Sequence, residues 1–373
     1  MKKVIAFSIF LICFLACNSQ NDKYRNPIDG SEIKRTIVDI RGNQFFIDEE
    51  ITYKGRFWKG NKIEGLLLNS RMVQGIFDDY NEETRKKWKY PDTQKWDPDR
   101  NTSEFVDAMV DWRSHGLLAF TLNLQGGSPM GYGNQGWYNS SYTKKGELRS
   151  EYIDRLTKIL DKADEIGMVV ILGYFYFGQD QNLENEDAVV TATRNITNWI
   201  LDKGYKNILV EINNECDVDA YDHEILMPQR VHELIELVKS MERDGYSLFT
   251  GTSFGGNAIP ILNVVDVSDF ILIHGNGVGD PARITEMIQQ TRDLATYKEM
   301  PILFNEDDHY EFDKESNNMV AAICSYASWG FFDYRREGEK YNDGFQSVPV
   351  DWKISSDRKR AFFNKVKEIT GMI

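Results

Sequence analysis

The strongest constraint on how this chain can fold is a recurrence. Eight short apolar runs stand along it: "EGLLLNS" (64–70), "LLAFTLN" (117–123), "MVVILGYF" (168–175), "NILVEIN" (207–213), "SLFTGT" (247–252), "FILIHG" (270–275), "PILFNE" (301–306) and "YASWGFFD" (326–333). They are continuous rather than alternating, the pattern of parallel strands buried on both faces. Between them lie stretches with apolar residues at helical spacing. "EFVDAMVDWRSHG", "EYIDRLTKILDKADEIG", "AVVTATRNITNWILDKG" and "PQRVHELIELVKSMERDG" each end in the glycine that closes a helix, and the last carries Pro228 at its start. Eight strand–helix units at about 34 residues each match a (β/α)8 barrel, which averages about 250 residues, better than a doubly wound sheet. The predicted class is α/β: a TIM barrel over 62–373. Its least regular unit joins strands five and six, where Pro260 stands in place of a helix.

The segment "RTIVDIRGNQFFIDEEITYKGRF" alternates apolar and polar residues around "RGN", which predicts an N-terminal β-hairpin over 35–61. Before it, Lys2 and Lys3 precede the short apolar run "VIAFSIFLICFLA", the pattern of a signal peptide over 1–16. The run ends "FLAC", which resembles a bacterial lipobox, with Phe14 where an aliphatic residue is usual. That resemblance implies lipidation at Cys17, a tether over 17–34, and an exported protein anchored by lipid to the bacterial cell envelope. No second apolar segment is long enough to span a bilayer, so the lipid is the only expected tie to a membrane.

Net charge is −14, which argues against nucleic acid or an anionic membrane surface as the main partner. Cys216 and Cys324, the two cysteines beyond the N-terminal segment, read as small buried hydrophobes. No CxxC or HExxH spacing occurs, so neither a metal nor a cofactor is expected; the spacing of Asp217, Asp219 and Asp222 hints at calcium but lacks the EF-hand pattern. Aromatics make up 13% of the chain. Two long loops follow strands one and two, at 71–102 and 124–148, and carry Trp88, Tyr90, Trp96, Tyr132, Trp137 and Tyr138 among glycines and amides. On the C-terminal face of a barrel, where active sites lie, such rings either stack on a sugar or pin the loops to the barrel.

Two strands end in chemistry. Strand four runs out as "LVEINNECDV", placing Asn214 and Glu215 at the barrel mouth. Strand seven ends "PILFNEDDHY", placing Glu306 there 91 residues later. Three units of about 30 residues fill that gap, so the two carboxylates can face each other across the opening. Facing carboxylates suit glycosidic cleavage: one protonates the leaving oxygen, the other attacks the anomeric carbon or activates water. Mutual repulsion and burial raise the pKa of one of them.

"EINNE" and "FNE" resemble the retaining glycoside hydrolases of clan A, the cellulase-like, family 5-like TIM barrels. The resemblance implies Glu215 as acid/base, Glu306 as nucleophile, Asn214 on the substrate 2-hydroxyl, His274 of "FILIHGN" at the end of strand six, and Trp329 of "SYASWGFF" as a sugar floor. It implies a carbohydrate substrate. The clan's arginine near the end of strand two is missing; "TLNLQGG" offers Asn123 and Gln125 there, and Arg71, just past strand one, can supply the charge. With Trp137 from the second loop, Arg71 and Asn123 complete the expected substrate-binding set. Asp307 and Asp308 crowd Glu306. Two other readings remain open. One is a non-catalytic glycan-binding lipoprotein on the same scaffold. The other is an esterase, since "GTSFGG" matches G-x-S-x-G with Ser253 at its centre.

Overall fold

The computed structural model describes residues 36–133 and 136–372. The expected signal peptide, the tether and Cys17 lie outside them. Among the described residues no helix is long and apolar enough to cross a membrane.

The expected hairpin is present and continues. Gly42, at φ +60°, opens the two-residue turn between β1 (Val38–Arg41) and β2 (Gln44–Ile47). A second tight turn through Asp48 and Glu49, both at positive φ, has the twist that a two-residue antiparallel connection needs. It adds β3 (Glu50–Ile51) as a third strand, and a further hairpin follows from β4 (Phe57–Trp58) and β5 (Asn61–Lys62).

Eight parallel strands then form a (β/α)8 barrel: β6 (Asn69–Arg71), β7 (Ala119–Asn123), β8 (Val169–Tyr176), β9 (Ile208–Asn214), β10 (Phe249–Gly251), β11 (Ile271–His274), β12 (Ile302–Glu306) and β13 (Gly330–Phe331). β13, β6, β7, β8, β9 and β10 pair in that order, and β11 pairs with β12. Single parallel bridges close the ring, Leu303 to Ser328 between β12 and the approach to β13, and Gly256 to His274 between the segment after β10 and β11.

The helices follow the caps. After the short α1 (Glu82–Arg85) in the first long loop, α2 (Pro98–Ser114) starts on Asp97, whose side chain takes the Arg100 N–H. α3 (Ser150–Ile166) and α4 (Glu186–Lys203) end at Gly167 and Gly204, both left-handed. α5 (His232–Lys239) stops well short of Gly245, the glycine that the sequence pattern marks as its end, because the chain folds back in an antiparallel bridge between Arg243 and Tyr246. α6 (Leu262–Val267) is the stunted helix of the irregular fifth unit, and α7 (Pro281–Arg292), α8 (Asn318–Cys324) and α9 (Asp357–Thr370) complete the outer layer.

Alternation along each strand divides the core. Leu67, Val169, Ile171, Leu209, Leu272 and Leu303 point inward and form one cluster with Val38 and Phe45, so the hairpin plugs the N-terminal end of the barrel. Burying the Phe45 ring there contributes about 2–3 kcal/mol. Their neighbours Leu68, Val170, Leu172, Val210, Ile273 and Phe304 pack outward against the helices. One step nearer the C-terminal end the buried residues turn polar, with Arg71, Asn123, Glu211, His274 and Asn305 all shielded from solvent. An apolar floor with a polar mouth is what confines chemistry to one end.

Candidate active site

Glu215 follows the last residue of β9 and has φ +50°, a conformation that costs a non-glycine residue on the order of 1 kcal/mol. Ser253, just beyond β10, holds it there: its Oγ accepts the Glu215 N–H at 2.9 Å and its carbonyl accepts the Cys216 N–H at 2.9 Å. The Tyr221 hydroxyl donates to the Asn214 carbonyl. The turn directs the Glu215 carboxylate to His274, whose Nδ1 lies 3.0 Å from Oε1. Glu306 ends β12, and its Oε2 lies 3.7 Å from the same nitrogen. One oxygen of each glutamate and the His274 nitrogen all lie within 4.8 Å of one another.

Arg71, the final residue of β6, is buried at the bottom of this group. Its Nε stands 2.8 Å from Glu306 Oε2, and its Nη2 donates to Asn214 Oδ1 at 2.9 Å. Asn276 donates to Glu306 Oε1 at 2.6 Å. Both oxygens of Glu306 therefore meet groups that cannot accept a proton, which suits an ionised carboxylate. Burial raises its pKa, with Glu215 adding to the rise and Arg71, His274 and Asn276 opposing it. Burial also works against a charge on Glu215, but the His274 bond and the His274 and Arg71 charges hold that carboxyl below its usual range. His274 is raised: burial disfavours its cation, and the two glutamates outweigh burial. Glu215 held low and His274 held high favour the proton that an acid catalyst needs on the imidazole, one hydrogen bond from Glu215.

The structure thus brings together Glu215, Glu306, Asn214, His274 and Arg71, and it separates others from them. Trp329 is fully buried behind the barrel wall, stacked on Phe331 and edge-on to Phe312, with Nε1 donating to Asp307 Oδ2 at 2.9 Å. It does not border the mouth. Phe332, three residues on, does, with its ring 5.9 Å from the Arg71 guanidinium carbon. Trp137 is buried among Phe77, Trp88 and Val348 and pins the loops. Trp88 and Tyr90 are buried as well, and Tyr90 stacks on Trp96. Of the loop aromatics, Tyr132 approaches the site: its hydroxyl bonds Asp308 at 3.2 Å and its ring packs edge-on to Phe332. Asn123 ends β7 in the space that Gly173 leaves free, with neither amide atom hydrogen-bonded. Gln125 is bound to Ser140 and the Gln179 carbonyl.

Ser253 is not built as a nucleophile. It is buried, its oxygen is taken up by Glu215, and the residues after Gly251 do not enter a helix until Leu262, so the strand–turn–helix of an elbow is absent. Among the described residues two clusters have metal-ligating geometry, Glu215–His274–Glu306 and Asp307–Asp308–His309; Asp217, Asp219 and Asp222 do not form one. In the first, Arg71 already neutralises Glu306. In the second, Asp307 is saturated by His309, Asn318 and Trp329. Cys216 is free and buried, and Cys324 is free and exposed, against the expectation of burial.

The sequence reading missed Asn276, Tyr176 and Phe332. Tyr176 ends β8 beside Arg71 and both glutamates and shares a hydrogen bond with Ser128. A strand-end position was the available signal for Tyr176. Asn276 and Phe332 lie one or two residues beyond their strands, where loop conformation decides direction.

No family model matches the chain, and no curated protein does. Solved structures do. An endo-1,4-beta-mannanase from Rhizomucor miehei is 12% identical over 90% of this chain and 99% of its own, with a TM-score of 0.55. A GH5-4 broad specificity endoglucanase from Bacteroides salanitronis is 10% identical over 82% and 93%, with a TM-score of 0.53. A glycoside hydrolase family 5 protein from Bacteroides vulgatus is 13% identical over 89% and 71%, with a TM-score of 0.53. The barrel of this chain is the fold that those three structures share.

Proposed function

We propose that the protein is a glycoside hydrolase that cleaves O-glycosidic bonds in an oligo- or polysaccharide with retention of anomeric configuration. The observation that carries this is the pair of carboxylates at opposite strand ends, each within reach of one His274 nitrogen and with oxygens under 4.8 Å apart. Retaining enzymes hold their carboxyl groups about 5–5.5 Å apart, inverting enzymes about 6.5–9.5 Å. In the first step the Glu306 carboxylate attacks the anomeric carbon while Glu215 gives its proton to the leaving oxygen, forming a glycosyl ester on Glu306. In the second, Glu215 takes a proton from water, the water oxygen attacks the anomeric carbon, and Glu306 leaves as carboxylate. Asn214, fixed by Arg71, presents its free Nδ2 to the sugar 2-hydroxyl.

The test is a panel of aryl glycosides and polysaccharides that includes β-1,4-mannan and β-glucan, the substrates that the names of the structural neighbours suggest. Glu306→Gln serves as the blank, and NMR follows the anomer first released. Glu215→Gln and Glu306→Gln are each expected to lower kcat at least about a hundredfold. Glycan binding without turnover by the unaltered protein would instead make it a glycan-binding module. We also propose that Cys17 carries lipid and holds the enzyme on the cell envelope; Cys17→Ala should release it from membrane fractions.

A further inference from the structure

Beneath the catalytic pair runs a file of buried bonds that the reaction itself does not use. Glu211 lies on β9, inside the barrel and shielded from solvent. Its Oε1 accepts from Asn305 Nδ2 at 3.2 Å. Asn305 Oδ1 faces His274 Nε2 at 3.1 Å, and His274 Nδ1 faces Glu215 Oε1 at 3.0 Å. The His274 backbone is bridged to Gly256 and the next N–H, Gly275, is bonded to the Glu306 carbonyl, so the main chain that carries the ring is held on both sides.

The file has a direction. Asn305 turns its NH2 toward Glu211, whose Oε1 accepts from it. The Asn305 carbonyl is then what His274 meets, and a carbonyl also only accepts. Nε2 must therefore carry a hydrogen in every protonation state. The second ring proton, when present, has one place left, Nδ1, in line with Glu215.

We propose that Glu211 is a positioning residue. Acting through Asn305, it locks His274 in the Nε2–H form, so that the proton exchanged with Glu215 is always held on the nitrogen that faces it. The proposal rests on the reading of Glu215 as acid/base. The exchange balances: the Nδ1 proton passes to Oε1, leaving neutral imidazole and a carboxylic acid; Glu215 spends that proton on the leaving oxygen, regains one from water and returns it to Nδ1. The titratable groups around the ring are Arg71 from β6, Glu211 of β9, Glu215 just beyond it and Glu306 from β12, and Tyr176 of β8 stands beside Arg71. Glu211 is the one among them that acts on the far nitrogen.

The test uses 15N-histidine-labelled protein. His274 is assigned among the five histidines by its absence in His274→Gln. The unaltered protein should show only the Nε2–H tautomer when the ring is neutral. Glu211→Gln can present either end of its amide, so Asn305 loses its orientation and the Nδ1–H tautomer should appear. Its kcat should fall about tenfold on aryl glycosides with poor leaving groups and less than about twofold on those with good ones, because acid assistance matters only for the former. Glu211→Gln combined with Asn305→Asp reverses both partners, restores an acceptor at Nε2, and should return both the tautomer and the leaving-group dependence. A pure Nε2–H ring in Glu211→Gln, an Nδ1–H ring in the unaltered protein, or a double variant no better than the single one would each overturn the proposal. If the unaltered protein hydrolyses no glycoside, the hydrolase reading fails while the tautomer measurement still decides the lock.

Discussion

Replacing Arg71 by methionine isolates the electrostatics of the site. The side chain is fully buried and its Nε is 2.8 Å from Glu306. Breaking a buried pair by removing one partner costs about 3–5 kcal/mol, because the remaining charge is left without compensation. Glu306 has an escape, however: it can take up a proton. Its carboxyl is already raised by burial, with Arg71 as the main pull downward, so Arg71→Met raises it further. Every unit of that rise corresponds to about 1.4 kcal/mol. In the unfolded chain the same carboxyl titrates near about 4.3. Between that value and the raised folded value the folded state binds more protons, so stability falls as pH rises through the window and levels off above it. The penalty should be smaller at pH 5 than at pH 8. At about 0.7 kcal/mol per degree for a domain of this size, 3–5 kcal/mol lowers Tm by about 4–7 °C. Urea unfolding of both proteins at the two pH values measures it. Adding Glu306→Gln removes the stranded charge and should recover most of the loss at pH 8. An equal penalty at both pH values, or none at pH 8, would refute an Arg71–Glu306 pair that sets the charge of the site.

Two further predictions follow from the same contacts. His274 is held above its ordinary value by the two glutamates against the opposing effect of burial. Its contribution to stability is therefore complete below about pH 6.5 and is lost as pH rises through the folded value; His274→Gln should flatten the stability–pH curve in that window, and a curve parallel to the unaltered protein would contradict it. Trp329→Phe keeps a ring in the wall and removes the N–H that Asp307 accepts, so it should cost about 1–3 kcal/mol in chemical denaturation. KM should stay unchanged, and a marked rise would mean that the indole touches substrate.

Much of the barrel was legible because its signals are local. Runs such as "MVVIL" are apolar on both faces, and left-handed glycines such as Gly167 and Gly204 close the helices they follow. The site was legible where a residue ends a strand, since the barrel fixes which way Arg71, Asn214, His274 and Glu306 can point. It was not legible where direction depends on a loop. Trp329 and Phe332 sit three positions apart in one aromatic run, and only the turn after β13 decides that the phenylalanine reaches Arg71. The loop tryptophans gave no such clue either, because a ring that pins a loop and a ring that stacks on a sugar have the same composition. Glu211 reads as one more residue of a buried strand; the role proposed for it needs His274 from β11 and Asn305 from β12, which sequence proximity cannot supply.

The irregular fifth unit has a physical reason within this arrangement. A regular ladder between β10 and β11 would commit the backbone of residues 252–256 to strand pairing. Instead one bridge, Gly256 to His274, closes the ring, and the freed segment turns inward. There the Ser253 side chain and carbonyl accept the N–H groups of Glu215 and Cys216, and the Gly255 N–H donates to Asp217. Those bonds hold Glu215 in its left-handed conformation, which an extended strand could not adopt. A Cβ at position 256 would lie 2.3 Å from the Asn276 carbonyl oxygen, so glycine is required for the segment to pass beside the residue that bonds Glu306. Sheet pairing is reduced to one bridge at this seam, and the bonds made there instead orient one carboxylate and keep room for the partner of the other. Pro260 and the short α6 are the sequence trace of that exchange.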